Sequence, residues 1–185
     1  MEKAPYENTI EVPEGVSVAV ENSVLSIKGP KGEVRRDFRN PSLSLTHSGN
    51  ALVLSSSRST KREKKLVGTY VAHINNLLAG VKEPFTYVLH ICSGHFPMNV
   101  SVQNNVLSVK NFFGEKVPRT LKIKNGVDVK VQGTDITVTS PDIEFAGQTA
   151  ADIERLSRRT KGFDLRVFQD GIYIVHKPKR NTASQ

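Results

Sequence analysis

Two kinds of residue in this chain could do chemistry. The first is a short run of metal-ligand types, His90, Cys92 and His95. On a strand, positions 90 and 92 share a face, but His95 follows Gly94 in a turn and a fourth ligand at zinc spacing is absent, so no metal is expected. Asp128, Asp135 and Asp142 fall at no helical or strand spacing that pairs two carboxylates. A nucleophile elbow, a Walker loop and a dinucleotide fingerprint are all missing. Lys28-Gly-Pro-Lys-Gly32 is glycine-rich but lacks the Gly-Lys-Ser/Thr that would follow in a phosphate loop, and a β-turn accounts for it better. Neither an enzyme, a cofactor nor a small-molecule substrate is expected.

The second kind is clustered cations. Arg58, Lys61, Arg62, Lys64 and Lys65 stand against Glu63 alone, a net +4 over 58–65. Lys31, Arg35, Arg36 and Arg39 form a looser group. The largest group is C-terminal, where Arg155, Arg158, Arg159, Lys161, Arg166, Lys177, Lys179 and Arg180 face Asp164 and Asp170, a net +6 over 155–180. Charge runs are often only solvated faces, but arginines gathered where a helix end meets a hairpin suit phosphates. Cations at the start of a helix also oppose its dipole, which calls for some compensating contact. Aromatics make up only 6% of the chain and tryptophan is absent, so stacking on single-stranded bases is a minor mode. Backbone and shape recognition of structured RNA remains; no helix-turn-helix or zinc pattern points to DNA. Phe112-Phe113 stays open between a stacking or docking tip and a local hydrophobic plug.

The elements that must position these groups come twice. Val18–Glu33 returns as Val100–Glu115 at an offset of 82, with nine of sixteen positions identical. Each copy predicts a hairpin, turning at Glu21-Asn22-Ser23 in the first, where asparagine tolerates positive φ. At 185 residues this favours two small domains over one large one. A hydrophobic share of 37% suffices for two modest cores, and a net charge of +8 with pI near 9.7 suggests a polyanionic partner. Cys92 is the single cysteine, which excludes an intramolecular disulfide and fits a reducing compartment. No signal-like or membrane-length apolar run occurs, so a cytoplasmic location without membrane association is expected.

Along the chain, a short strand is predicted at Thr9–Val12, then the hairpin, then Leu43–Leu45 and Leu52–Leu54 around Ser48-Gly49-Asn50. Thr60-Lys-Arg-Glu63 has capping-box spacing and opens a helix with Leu66, Tyr70, Val71, Ile74, Leu77, Leu78 and Val81 on one face. Gly80 is placed to stop it, and Pro84 forbids a restart. Phe85–Cys92 alternates as a strand. Val127–Val131 and Ile136–Val138 repeat the earlier pair. Ser140-Pro141 predicts the cap of a second helix, with Ile143, Ala146, Ala150, Ile153 and Leu156 as its stripe. Leu165–Phe168 and Ile172–Val175 are predicted as a hairpin turned by Asp170 and Gly171. The expected architecture is α+β: two tandem similar domains, each an antiparallel sheet with one long helix packed on it. Their expected bounds are 1–82 and 83–177, with a basic tail at 178–185.

Gln148–Arg155, Arg166–Ile174, Thr60–Lys65, Gly68–Asn76 and His95–Met98, together with the doubled hairpins, resemble the large-subunit ribosomal protein L-six family in its archaeal and eukaryotic form. The resemblance covers nearly the whole chain. It implies no catalysis, and a structural role in the large ribosomal subunit. The implied partners are neighbouring ribosomal proteins and large-subunit ribosomal RNA, in domain VI near the sarcin–ricin loop and the factor-binding site. It also implies that the second domain makes most of the RNA contacts, which places them on the 155–180 cations; the charge reading, independently of the resemblance, adds Arg58, Lys61, Arg62, Lys64 and Lys65 as a further set. The alternative is a tandem β-rich protein-interaction module for acidic partners, which the acidic segment 1–15 keeps open for the first domain.

Overall fold

The computed structural model describes residues 6–158, 162, 164 and 166–178. The chain divides between Pro84 and Phe85 into two compact units. In the first, alternating apolar residues fold into β1 (Tyr6–Glu11), β2 (Ser17–Glu21), β3 (Val24–Gly29), β4 (Gly32–Asp37), β5 (Leu43–Ser48) and β6 (Ala51–Ser56), followed by α1 (Lys61–Lys82). The strands form two antiparallel sheets, β2-β3-β4 and β1-β6-β5, where the sequence suggested one. Leu25 and Ile27 point inward from β3 and Leu52 from β6, all with no exposed surface; they meet Ile74, Leu77 and Val81 of α1. The β2–β3 turn places Asn22 and Ser23 at φ 49° and 65°, the geometry that matches the twist of a two-residue hairpin.

The predicted capping box is present at α1. Thr60 Oγ1 accepts the Glu63 amide at 3.4 Å, and the Glu63 carboxylate accepts the Thr60 amide at 3.1 Å. Gly80, however, does not end the helix. It is buried inside the last turn, and Glu83 is the C-cap, bonding the Ala79 carbonyl at 2.9 Å just before Pro84. The β3–β4 turn holds that last turn in place: the Lys31 amide donates to Val81 O at 3.1 Å, and a Cβ on Gly29 would meet Val81 at 2.8 Å.

The second unit repeats the plan with β7 (Phe85–Cys92), β8 (Asn99–Gln103), β9 (Val106–Lys110), β10 (Arg119–Lys122), β11 (Asp128–Gln132), β12 (Asp135–Ser140), α2 (Ile143–Leu156) and a further strand, β13 (Gly171–His176). Its sheets are β10-β9-β8 and β11-β12-β7-β13, again antiparallel. Val18 faces Ile27 in one copy and Val100 faces Val109 in the other, so the offset of the sequence repeat is also the offset of the register. It breaks after Lys28 and Lys110. Ile27 pairs with Val34, whereas Val109 pairs with Arg119, three residues further along. The extra length holds a 3-10 turn at Phe112–Gly114, so the sequence identity of Gly32-Glu33 with Gly114-Glu115 is not a structural equivalence.

Two expectations in this unit are corrected. Asp142, not Ser140, caps α2, its carboxylate accepting the Glu144 amide at 2.8 Å; Ser140 is buried and donates to the Gly126 carbonyl at 2.8 Å. Asp170-Gly171 does not turn a hairpin either. Residues 166–168 are not a strand, Leu165 lies outside the described residues, and β13 pairs with β7. Asp170 is engaged elsewhere.

Candidate nucleic-acid interface

The C-terminal end of α2 and the start of β13 meet on one surface of the second unit. The stripe Ala146, Ala150 and Ile153 is buried against the β7-containing sheet, which fixes the last turn of α2 beside the outer edge of β13. There Ser157 Oγ accepts the Ile172 amide at 2.8 Å and the Glu154 carboxylate accepts the Ile174 amide at 3.1 Å. These are the outward-facing donors of an edge strand, and α2 covers them. Arg119 closes the helix from below: one guanidinium nitrogen donates to Leu156 O at 2.7 Å, while Nε and the other nitrogen grip Glu115 at 2.8 and 2.7 Å. Its guanidinium also lies 4.4 Å from the Phe112 ring centroid, so this cation is structural.

Asp170 locks the loop between β7 and β8. Its side chain is only 3% exposed. It accepts the amides of Gly94 at 2.8 Å, His95 at 3.1 Å and Phe96 at 3.1 Å, with the His95 ring at 3.3 Å. Burial would raise its carboxyl pKa, but the bonds from the Gly94 amide, the His95 ring and the other two amides outweigh it, and the net shift is downward from 3.8. The same loop builds an aromatic cluster that composition gave no reason to expect: His95 on Phe168 at 4.8 Å, Phe96 on Phe113 at 5.8 Å and Phe113 on Phe168 at 6.2 Å. Phe112 is fully buried, the plug reading, while Phe113 sits at φ 49° beside it. Phe113, Phe168 and Tyr173 line a cleft of about 450 Å³ whose rim carries Arg155 and Arg158. The Tyr173 hydroxyl donates to Gln169 O at 3.0 Å, and burial, then the neighbouring Cys92, Asp170 and Glu154 groups, push its pKa above 10.0.

Of the cations expected on this surface, Arg155 and Arg158 come together at the cleft. Arg155 is 71% exposed and its acidic neighbour, Asp152, lies at 3.5 Å. Arg166 is exposed but its charge is met locally, since Nε and a terminal nitrogen bond both Asp164 oxygens at 3.1 and 3.0 Å; that pairing raises its pKa. Lys177 follows the far end of β13, about 20 Å of extended chain from Gly171. The predicted convergence of a helix and a hairpin is therefore only partial. Arg159, Lys161, Lys179 and Arg180 lie outside the described residues. His90, read beside Cys92 and His95 as a ligand type, bonds Asp135 at 2.7 Å instead.

In the first unit, Arg58, Lys61, Arg62, Lys64 and Lys65 are all exposed around the first turns of α1. Glu63, the one acid among them, is folded back on Thr60 by the capping box. None of the five has an ion-pair partner among the described residues; Lys64 lies 5.2 Å over the Tyr6 ring. Arg35 pairs with Glu33 at 2.9 Å and lowers the carboxyl pKa of that residue.

Comparison with known proteins adds two findings. A family model described as Ribosomal protein L6 matches residues 12–84 and again 96–171, one match in each unit. A protein of Methanosarcina mazei is 46% identical over 169 residues, covering 91% of this chain and 96% of its own length. Proteins of Methanobrevibacter smithii and Nanoarchaeum equitans are 42% and 43% identical, covering 94% and 95% of this chain and 97% and 95% of their own. All three are named large ribosomal subunit protein uL6.

Proposed function

Because this chain belongs to the ribosomal protein L6 family, we propose that it is a cytoplasmic structural protein of the large ribosomal subunit that binds large-subunit ribosomal RNA. The finer placement is domain VI, near the sarcin–ricin loop and the factor-binding site, with neighbouring ribosomal proteins as further partners. The second unit is the main RNA-binding part. The observation that carries this reading is the pair Arg155 and Arg158, exposed together on the rim of an aromatic cleft. The last turn of α2 is anchored by Arg119 and by the edge of β13. Cations on a fixed support neutralise phosphates at little ordering cost, and they recognise folded RNA through the positions of its phosphates. Arg159, Lys161, Lys179 and Arg180 extend the same basic segment in sequence. Lys177, Arg166 and the α1 group supply further positive charge.

The test is the salt dependence of binding to protein-free large-subunit ribosomal RNA. Each phosphate neutralised contributes about 0.7–0.9 to the slope of log affinity against log salt. A multi-phosphate face gives a slope of about 4 or steeper. A slope of one or two charges, or a chain that does not sediment with large subunits, overturns the reading.

A further inference from the structure

We infer that the outer face of α1 is a second RNA surface, on which a sugar–phosphate backbone packs directly against the helix at Gly68. The inference rests on the RNA-binding reading above but not on the surface of the second unit. At 100° per residue, Lys61, Lys65, Gly68 and Ala72 fall within about 60° of one another on the helix. All four are exposed. Asn75 and Asn76 flank the next turn, half-buried, and their amides make no hydrogen bond among the described residues. Among the described residues the face thus runs from unpaired cations, across a floor of two small residues, to two amides with free donors and acceptors.

Gly68 is the telling position. Glycine is among the weakest helix formers, and in a helix interior it needs a reason. Elsewhere in the chain the reason is internal: a Cβ at Gly29 would strike Val81 at 2.8 Å, and one at Gly147 would strike the Tyr87 hydroxyl at 2.9 Å. At Gly68 a Cβ would meet nothing within 4 Å among the described residues, and its φ is not left-handed. Neither backbone conformation nor packing among the described residues accounts for it. Close approach from outside does. The charge beside it names the approaching class, since five cations without acidic partners among the described residues surround the first turns, where they also oppose the helix dipole. A polyanionic backbone satisfies both: phosphates against Lys61 and Lys65, and ribose hydroxyls within reach of Asn75 and Asn76.

The experiment separates fold from binding in the full chain. Gly68→Leu is expected to leave the thermal midpoint unchanged or raise it by about 2–4 °C, since the added side chain meets open space on a helix. It is expected to weaken binding to protein-free large-subunit ribosomal RNA about tenfold without changing the salt slope. Lys61→Gln with Lys65→Gln is expected to lower that slope by about 1.5. If the wild-type chain binds and Gly68→Leu binds as well, the inference is wrong. It is equally wrong if Gly68→Leu impairs joining the subunit but not RNA binding, because the occupant is then a protein. If the wild-type chain itself fails to bind with a steep salt slope, the RNA-binding reading falls first.

Discussion

Asp170 shows how far one buried carboxylate can organise a surface. It accepts three consecutive amides through a side chain that is itself almost wholly buried. Asp170→Asn turns one acceptor oxygen into an NH₂ that faces N–H groups. The expected loss is about 2–3 kcal/mol of stability at neutral pH, measured by chemical denaturation. Its pH dependence has a defined sign. The folded pKa lies below the ordinary 3.8, so the contribution is fully present above about pH 4 and is lost as pH falls through the folded value. The variant should therefore lose the part of the acid-limb decline that Asp170 causes. None of this was legible in Gln169-Asp170-Gly171. Asp-Gly is a strong local turn signal, but its partners lie at Gly94 to Phe96, some 75 residues away. Arg119 was unreadable for the same reason: composition counts it with the surface charge, and only the fold puts it under the last turn of α2.

Among the elements, what the sequence revealed was what is local. The α1 capping box joins residues three apart, and both of its bonds are present as predicted. The cap of α2 was displaced by two residues because Ser140 bonds Gly126, a partner brought near by the pairing of β11 with β12. β13 carries the same lesson further. Its pairing with β7 spans the domain, and its outer edge is covered by Glu154 of α2 and by Ser157, the residue that caps it, which no periodicity could assign to it. Ser157→Ala removes the acceptor of the Ile172 amide and leaves that buried donor unpaired. A loss of about 1–2 kcal/mol is expected. Faster hydrogen exchange should appear at Ile172, while the amides joining β13 to β7 keep their protection. Equal loss of protection on both edges would mean that β13 is held by its sheet and not by the helix.

At the scale of the whole molecule, two copies of one plan have diverged where function is proposed. The hairpin register is shared up to Lys28 and Lys110; beyond it the second copy gains the 3-10 turn with Phe112 and Phe113, and later β13. Both additions border the cleft under Arg155 and Arg158. The duplication was plain in the sequence because identical residues keep one offset. The additions were legible only in part, since they have no first copy to be compared with: Ile172–Val175 read as a strand, but its pairing with β7 did not, and Phe112-Phe113 stayed open between two readings. The net charge of +8 does not by itself say which cations touch RNA, and two double variants decide between total charge and placed charge. Arg155→Gln with Arg158→Gln and Lys122→Gln with Lys124→Gln each remove two exposed positive charges. If long-range attraction to a basic protein is all that matters, the two variants bind ribosomal RNA alike. If the end of α2 is a contact face, the arginine pair lowers the salt slope by about 1.5 and the lysine pair leaves it nearly unchanged. Filter binding across a salt series measures both, and equal slopes would reduce this surface to ordinary solubilising charge.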